Sequence, residues 1–224
     1  MEQQFQYYAF ISYKREDEKW AKWLQDRLRW YKLPSKLCRQ ITRLPKKVWP
    51  VFRDNTDLDS GRLEENIRHE LGRSHYLIVI CSPEAARSPW VGKEVKYFAT
   101  LHGADKIIPF VVSGIPYSND IETECIHEQI KAISQEELLA INVREEGIGS
   151  FAMKKKRAFI RVVARLLDIK FNTLWQPYER ILRIRKWSTG IGVVLFLFVL
   201  FILWDYYRTK NEYFADYVDR WGIP

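Results

Sequence analysis

Five short apolar runs, separated by charged or amphipathic stretches, organise residues 1–145. Residues 7–13 (YYAFISY) predict a buried strand, and from Asp17 onward Trp20, Leu24 and Leu28 recur on one helical face. Residues 32–47 hold six basic residues, no acid and two prolines, which predicts a loop. A second strand is expected over 48–53 (VWPVFR), weakened by Pro50, and 54–61 (DNTDLDSG) has turn chemistry. Leu63, Ile67 and Leu71 then mark a helix, and 75–82 (HYLIVICS) a wholly apolar strand. A helix opens at Ser88 or Pro89 and runs to about Leu101, with Val91, Val95, Phe98 and Leu101 as its core stripe. Residues 107–112 (IIPFVV) and 138–143 (LLAINV) complete the strands. A short helix is expected over 126–133 and a basic amphipathic one over 151–169. Continuously apolar strands alternating with helices predict an α/β fold, a flavodoxin-like doubly wound parallel five-stranded sheet covered on both faces. Ligands of such folds bind outside the carboxyl ends of the strands, which directs attention to the loops after Tyr13, Arg53 and Ser82.

The pattern changes near the C-terminus. Residues 187–204 (WSTGIGVVLFLFVLFILW) run for 18 residues without a charge, about 27 Å of helix at 1.5 Å per residue. Trp187 and Trp204 close the run and Tyr206 and Tyr207 follow, as in an interfacial aromatic belt. A transmembrane helix is expected; the competing reading, a buried core helix, lacks the polar face a soluble helix shows. Arg180, Arg183, Arg185 and Lys186 precede it, against Arg208 and Lys210 after it, so the expected orientation keeps the N-terminal domain in the cytoplasm. The expected organisation is therefore a folded domain over 1–170, a basic juxtamembrane linker over 171–186, a single span over 187–204 of an inner or plasma membrane, and a short aromatic tail over 205–224.

Composition narrows the classes. The chain is 47% hydrophobic and 29% charged, which excludes a disordered polymer. Its net charge of +8 is local, because residues 151–186 hold eleven Lys/Arg against two acids. That places basic residues beside anionic lipid headgroups and speaks against a nucleic-acid partner, which would call for basicity over the whole domain. Cys38, Cys81 and Cys125 are too few and too scattered for a disulfide framework, and four histidines without HxH or HExxH spacing give no metal site. No Gly-rich phosphate fingerprint follows the first strand, which disfavours a dinucleotide dehydrogenase and a P-loop NTPase.

Three places could carry chemistry. Glu94 has Trp90, Val91, Tyr97 and Phe98 at its helical neighbour positions, where a solvated glutamate usually has a Lys or Arg. It is either a carboxylate reaching solvent from the core edge or a site residue of perturbed acidity. Lys14 and Arg15 follow the first strand directly, either as solvated charges opening a helix or as partners for a phosphate. Asp54, Asp57 and Asp59 could suggest a cation loop, but lack EF-hand spacing, so a surface turn is the plainer reading.

FISYKR (10–15), VFRDNTDLDSG (51–61), LIVICSP (77–83) and SPWVGKEV (88–95), in this order, resemble the Toll/interleukin receptor (TIR) domain over roughly residues 5–170. The SPWVGKE stretch is similar to that of NAD-cleaving TIR enzymes, many of them bacterial. The resemblance implies that Glu94 is catalytic, that NAD⁺ is the substrate with no further cofactor, and that Ser12, Tyr13, Lys14, Arg15, Trp90 and Tyr97 line the substrate site. It also implies a homo-oligomer built through TIR–TIR contacts, with Asp54, Asp57, Leu58 and Gly61 in the assembly loop, and a role in bacterial immunity or toxicity. The basic insertion at 32–47 and the C-terminal anchor depart from the pattern. A non-catalytic TIR adaptor, and a nucleotide sensor or base-exchange transferase in the same fold, remain the alternatives.

Overall fold

The computed structural model describes residues 5–41, 44–45, 47–53, 61–133, 139–144, 150–176 and 194–210 of the 224-residue chain. It divides into two compact units, Met1–Leu174 and Trp175–Pro224. In the first, β1 (Tyr7–Ser12), β2 (Val51–Arg53), β3 (Ser74–Cys81), β4 (Ile107–Val111) and β5 (Ile141–Asn142) form one sheet in the order β2-β1-β3-β4-β5. Every pairing is parallel, with Ala9 opposite both Val51 and Tyr76, Leu77 opposite Ile107, and Phe110 opposite Ile141. The helices are α1 (Glu18–Trp30), α2 (Ser35–Gln40), α3 (Gly61–Gly72), α4 (Pro83–Ala86), α5 (Pro89–His102), α6 (Glu128–Ile133) and α7 (Phe151–Leu166).

The unbroken apolar strands follow from burial on two faces. Successive strand residues point to opposite sides. Phe10, Leu77, Val79 and Val111 meet one core, built with Ile67 and Leu71 of α3, Val91, Val95 and Phe98 of α5 and Ile130 of α6. On the other face Trp23 of α1 stacks on Phe110, ring centroids 6.4 Å apart, and meets Phe159 of α7 edge-on at 6.3 Å. Burying one such aromatic side chain contributes about 1.5–3 kcal/mol.

Several expectations shift. The 32–47 stretch contains α2, because Leu33, Leu37 and Leu44 are buried within a segment whose charge and prolines suggest only a loop. β2 begins at Val51 rather than at 48: Pro50 has no N–H to give to a ladder, though its carbonyl accepts from the Tyr8 amide at 2.8 Å. β5 is two residues long, and 138 lies outside the described residues. α7 ends at Leu166, and Asp168 adopts φ 51° just beyond it. Leu101 is 47% exposed instead of completing the α5 core stripe, its Cδ1 lying beside Gly72 at the end of α3.

Of the expected transmembrane span, 187–193 lies outside the described residues. Residues 194–210 are helical and exposed throughout. The apolar part, 194–204, covers about 16 Å against a hydrocarbon thickness of about 30 Å. Among the described residues no helix is long and apolar enough to cross a membrane. The expected linker is helical over 171–176, and the rest of it, with most of the tail, lies outside the described residues. Cys81 and Cys125 are buried, and Cys38 on α2 is partly exposed.

Candidate active site

The carboxyl ends of β1 and β3 meet the N-terminus of α5. Proline at the first turn and Ser88 as N-cap start that helix, the Ser88 hydroxyl accepting from the Val91 amide at 3.5 Å. Val91, Val95 and Phe98 then pack α5 into the core with Leu77 and Val79 of β3, and Glu94 is carried inward with them. Glu94 is 5% exposed, deeper than the core edge expected of it. Its Oε2 accepts a 2.5 Å hydrogen bond from the hydroxyl of Ser12, the last residue of β1, itself 1% exposed. A buried carboxylate requires such a donor, since an unpaired charge there would be costly.

A second serine–carboxylate pair lies alongside. Ser82, following β3, donates to Asp17 Oδ2 and accepts from the Ala85 amide at 3.1 Å, so it caps α4 while tying it to the start of α1. Burial pushes the Asp17 carboxyl up, against the opposing pull of the Ser82 hydroxyl.

Arg53, at the carboxyl end of β2, was not singled out by the sequence. Its Nη1 donates to the Tyr13 hydroxyl at 3.1 Å and lies 3.4 Å from Glu18 Oε1, while its Nε donates to Gln25 Oε1 at 3.1 Å. The guanidinium also sits 5.8 Å from the Tyr13 ring centroid. Arg53 therefore holds Tyr13 in place beside Ser12. An arginine closing an apolar strand is the signal that could have revealed it.

The remaining expected site residues are spread along the mouth. Lys14 is half-buried and Arg15 exposed, in the turn between β1 and α1. Trp90 lies one helical turn before Glu94, with the Lys93 ammonium 5.6 Å from its ring centroid. Tyr97 lies one turn further along α5 and carries the Arg68 guanidinium at 5.5 Å, which places it in the α3–α5 seam. Asp54, Asp57 and Leu58 lie outside the described residues, and Gly61 opens α3. Among the described residues no group of three or more His, Cys, Asp or Glu is placed to hold a metal ion.

The TIR domain profile matches residues 9–146. The chain belongs to the TIR domain family. The five parallel strands and the order of their connections are those of this fold. A curated relative, the NAD(+) hydrolase ApTIR of Actinoplanes sp., is 36% identical over 110 residues. That alignment covers 48% of this TIR chain and 14% of the relative, so the chain spans only a small part of that protein's length. Among solved structures, the TIR domains of the activated Roq1 resistosome recognising the pathogen effector XopQ align at 14% identity and a TM-score of 0.43, over 69% of this chain and 98% of that one.

Proposed function

We propose that this TIR domain hydrolyses NAD⁺ at the nicotinamide–ribose bond with Glu94 as its catalytic carboxylate. The observation that carries the reading is the buried Glu94 at the strand mouth, oriented by the Ser12 hydroxyl. The similarity to an NAD(+) hydrolase over just under half of the chain points the same way. The chemistry needs little more. Nicotinamide leaves from a positively charged nitrogen, so the general acid that an ordinary glycoside requires is dispensable. What remains is to orient the ribose and to place negative charge near the oxocarbenium-like centre, and one carboxylate does both. Trp90 offers a face for base stacking, and Lys14 and Arg15 offer charge for the pyrophosphate. Glu94→Gln should abolish NAD⁺ consumption by the purified protein while its circular dichroism and melting curve stay near wild type. Wild-type turnover by that variant would remove Glu94 from catalysis, and a wild type that leaves NAD⁺ intact would favour a contact-only role.

Self-assembly through TIR–TIR contacts belongs to the same reading. Membrane anchoring, with a cytoplasmic N-terminal domain, completes it, together with a role in bacterial immunity or toxicity. Support for the anchor comes from the uncharged run of 187–204, the exposed apolar side chains of 194–204 and the four-to-two excess of basic residues before the run. Protease added to right-side-out vesicles should leave the N-terminal domain intact and should digest it in inverted ones; the opposite pattern, or recovery in the soluble fraction, overturns the anchor.

A further inference from the structure

The first turn of α5, which brings Glu94 to the strand mouth, is braced on its other side by one imidazole. His127 precedes α6, and its Nδ1 accepts from the Gln129 amide at 3.0 Å, which caps that helix. An accepting Nδ1 carries no proton, so the proton of the neutral ring is on Nε2. Nε2 lies 3.1 Å from the Ser88 carbonyl and donates to it, and Ser88 is the N-cap of α5. The ring also packs close against Gly92: a Cβ at that position would stand 2.5 Å from Cε1 and 2.8 Å from Nε2. Gly92 and Glu94 are about 200° apart around the helix, so a displacement on the His127 side moves Glu94 relative to Ser12.

We propose that His127 is a positioning residue for Glu94: as the Nε2-protonated neutral imidazole it clamps the first turn of α5 to the start of α6 and sets the depth of the carboxylate at the strand mouth. The inference rests on the reading of Glu94 as the catalytic group. A second proton would have to go on Nδ1, where it would confront the Gln129 N–H and break the cap. Burial keeps the ring neutral against the opposing influence of the Ser88 carbonyl and of Glu128. Among the described residues Glu128 is the charged side chain that acts on the ring, and α5 presents to it the Ser88 carbonyl and the Gly92 backbone.

Two substitutions separate the halves of the clamp. His127→Gln keeps an amide donor where Nε2 stood, and His127→Asn keeps an acceptor where Nδ1 stood but falls short of Ser88. We expect the Gln variant to keep kcat for NAD⁺ cleavage within about twofold and to lack the decline expected of wild type as pH falls through the burial-lowered pKa of His127. The Asn variant should lose about tenfold or more in kcat at little change in KM and melting temperature. Gly92→Ala should lower kcat in wild type and far less in the Asn background, where the ring it presses on is gone. Wild-type kcat in the Asn variant, or an equal cost of Gly92→Ala in both backgrounds, overturns the proposal. Nitrogen-15 spectra of the wild-type imidazole decide it independently of turnover and of whether the variants fold: a proton on Nε2 supports the clamp, and a proton on Nδ1 sinks it. A wild type that does not consume NAD⁺ defeats the catalytic reading alone, and the tautomer still reports on the clamp.

Discussion

Ser12→Ala tests how the strand mouth is built. The substitution nearly conserves volume at a position 1% exposed and deletes the donor that stands 2.5 Å from Glu94 Oε2. A hydrogen bond to an ionised acceptor contributes about 1.5–3 kcal/mol, and its loss leaves a buried carboxylate with one donor fewer. The expected destabilisation is about 2 kcal/mol. For a unit of this size each kcal/mol moves Tm by about 2–4 °C, so Tm should fall by about 4–8 °C. In a Glu94→Gln background the same change removes a bond between neutral groups, worth about 1 kcal/mol. The double-mutant cycle should therefore show a coupling of about 1 kcal/mol. NAD⁺ turnover of Ser12→Ala should drop about tenfold, because the carboxylate loses the group that aims it. Thermal melts of the four proteins, with turnover assayed on the same preparations, measure both effects. A cycle additive within about 0.3 kcal/mol, with unchanged turnover, would refute the view that Ser12 orients Glu94.

Two further outcomes are expected. His75, His102 and His127 each have a folded pKa lowered mainly by burial, so between that value and 6.5 the unfolded chain binds more protons; their contribution is complete above pH 6.5 and is lost as pH falls through the folded values. Melting temperature should therefore decline from pH 7.5 toward 5, and a flat profile would show that these rings are not held neutral. Asp17, raised by burial, works in the opposite sense, its contribution being present below its ordinary value of 3.8 and lost as pH rises through the folded one. Leu58→Asp, in the loop expected to make TIR–TIR contacts, should reduce oligomer size in light scattering and NAD⁺ turnover together, since burying an unpaired charge at a contact costs several kcal/mol; full turnover by a monomeric variant would remove the assembly requirement.

The parts of the fold legible from sequence are those whose signal is local. β3 is eight residues with every position from Tyr76 to Cys81 buried, a run whose short length and β-branched Ile78, Val79 and Ile80 favour a strand over a helix. The unusual setting of Glu94 was visible because its neighbours on the same helix are apolar. α2 was hidden because its one buried leucine, Leu37, and the buried Leu33 just before it lie among basic residues and prolines that dominate any local count. β5 is too short for periodicity to define. The roles of Arg53 and Asp17 were illegible for a different reason: Arg53 finds Tyr13 across 40 positions of chain and Asp17 finds Ser82 across 65, so only the assembled sheet brings them together.

The distribution of thiols gives the protein a built-in labelling site. The Cys81 thiol is held well above its ordinary acidity range by full burial, and Cys125 is pushed up to about 12 for the same reason. At neutral pH both thiols therefore stay protonated and unreactive, and both side chains are sheltered from bulky reagents. Cys38 differs, being partly exposed on α2, in the connection that runs from α1 to the amino end of β2 and thus away from the strand mouth. A maleimide dye or spin label applied to the unmodified protein would accordingly attach at one position, without cysteine mutagenesis and without crowding Glu94. Energy transfer or dipolar distances between labelled copies would then report the geometry of any assembly directly, with the protein's own residues all in place.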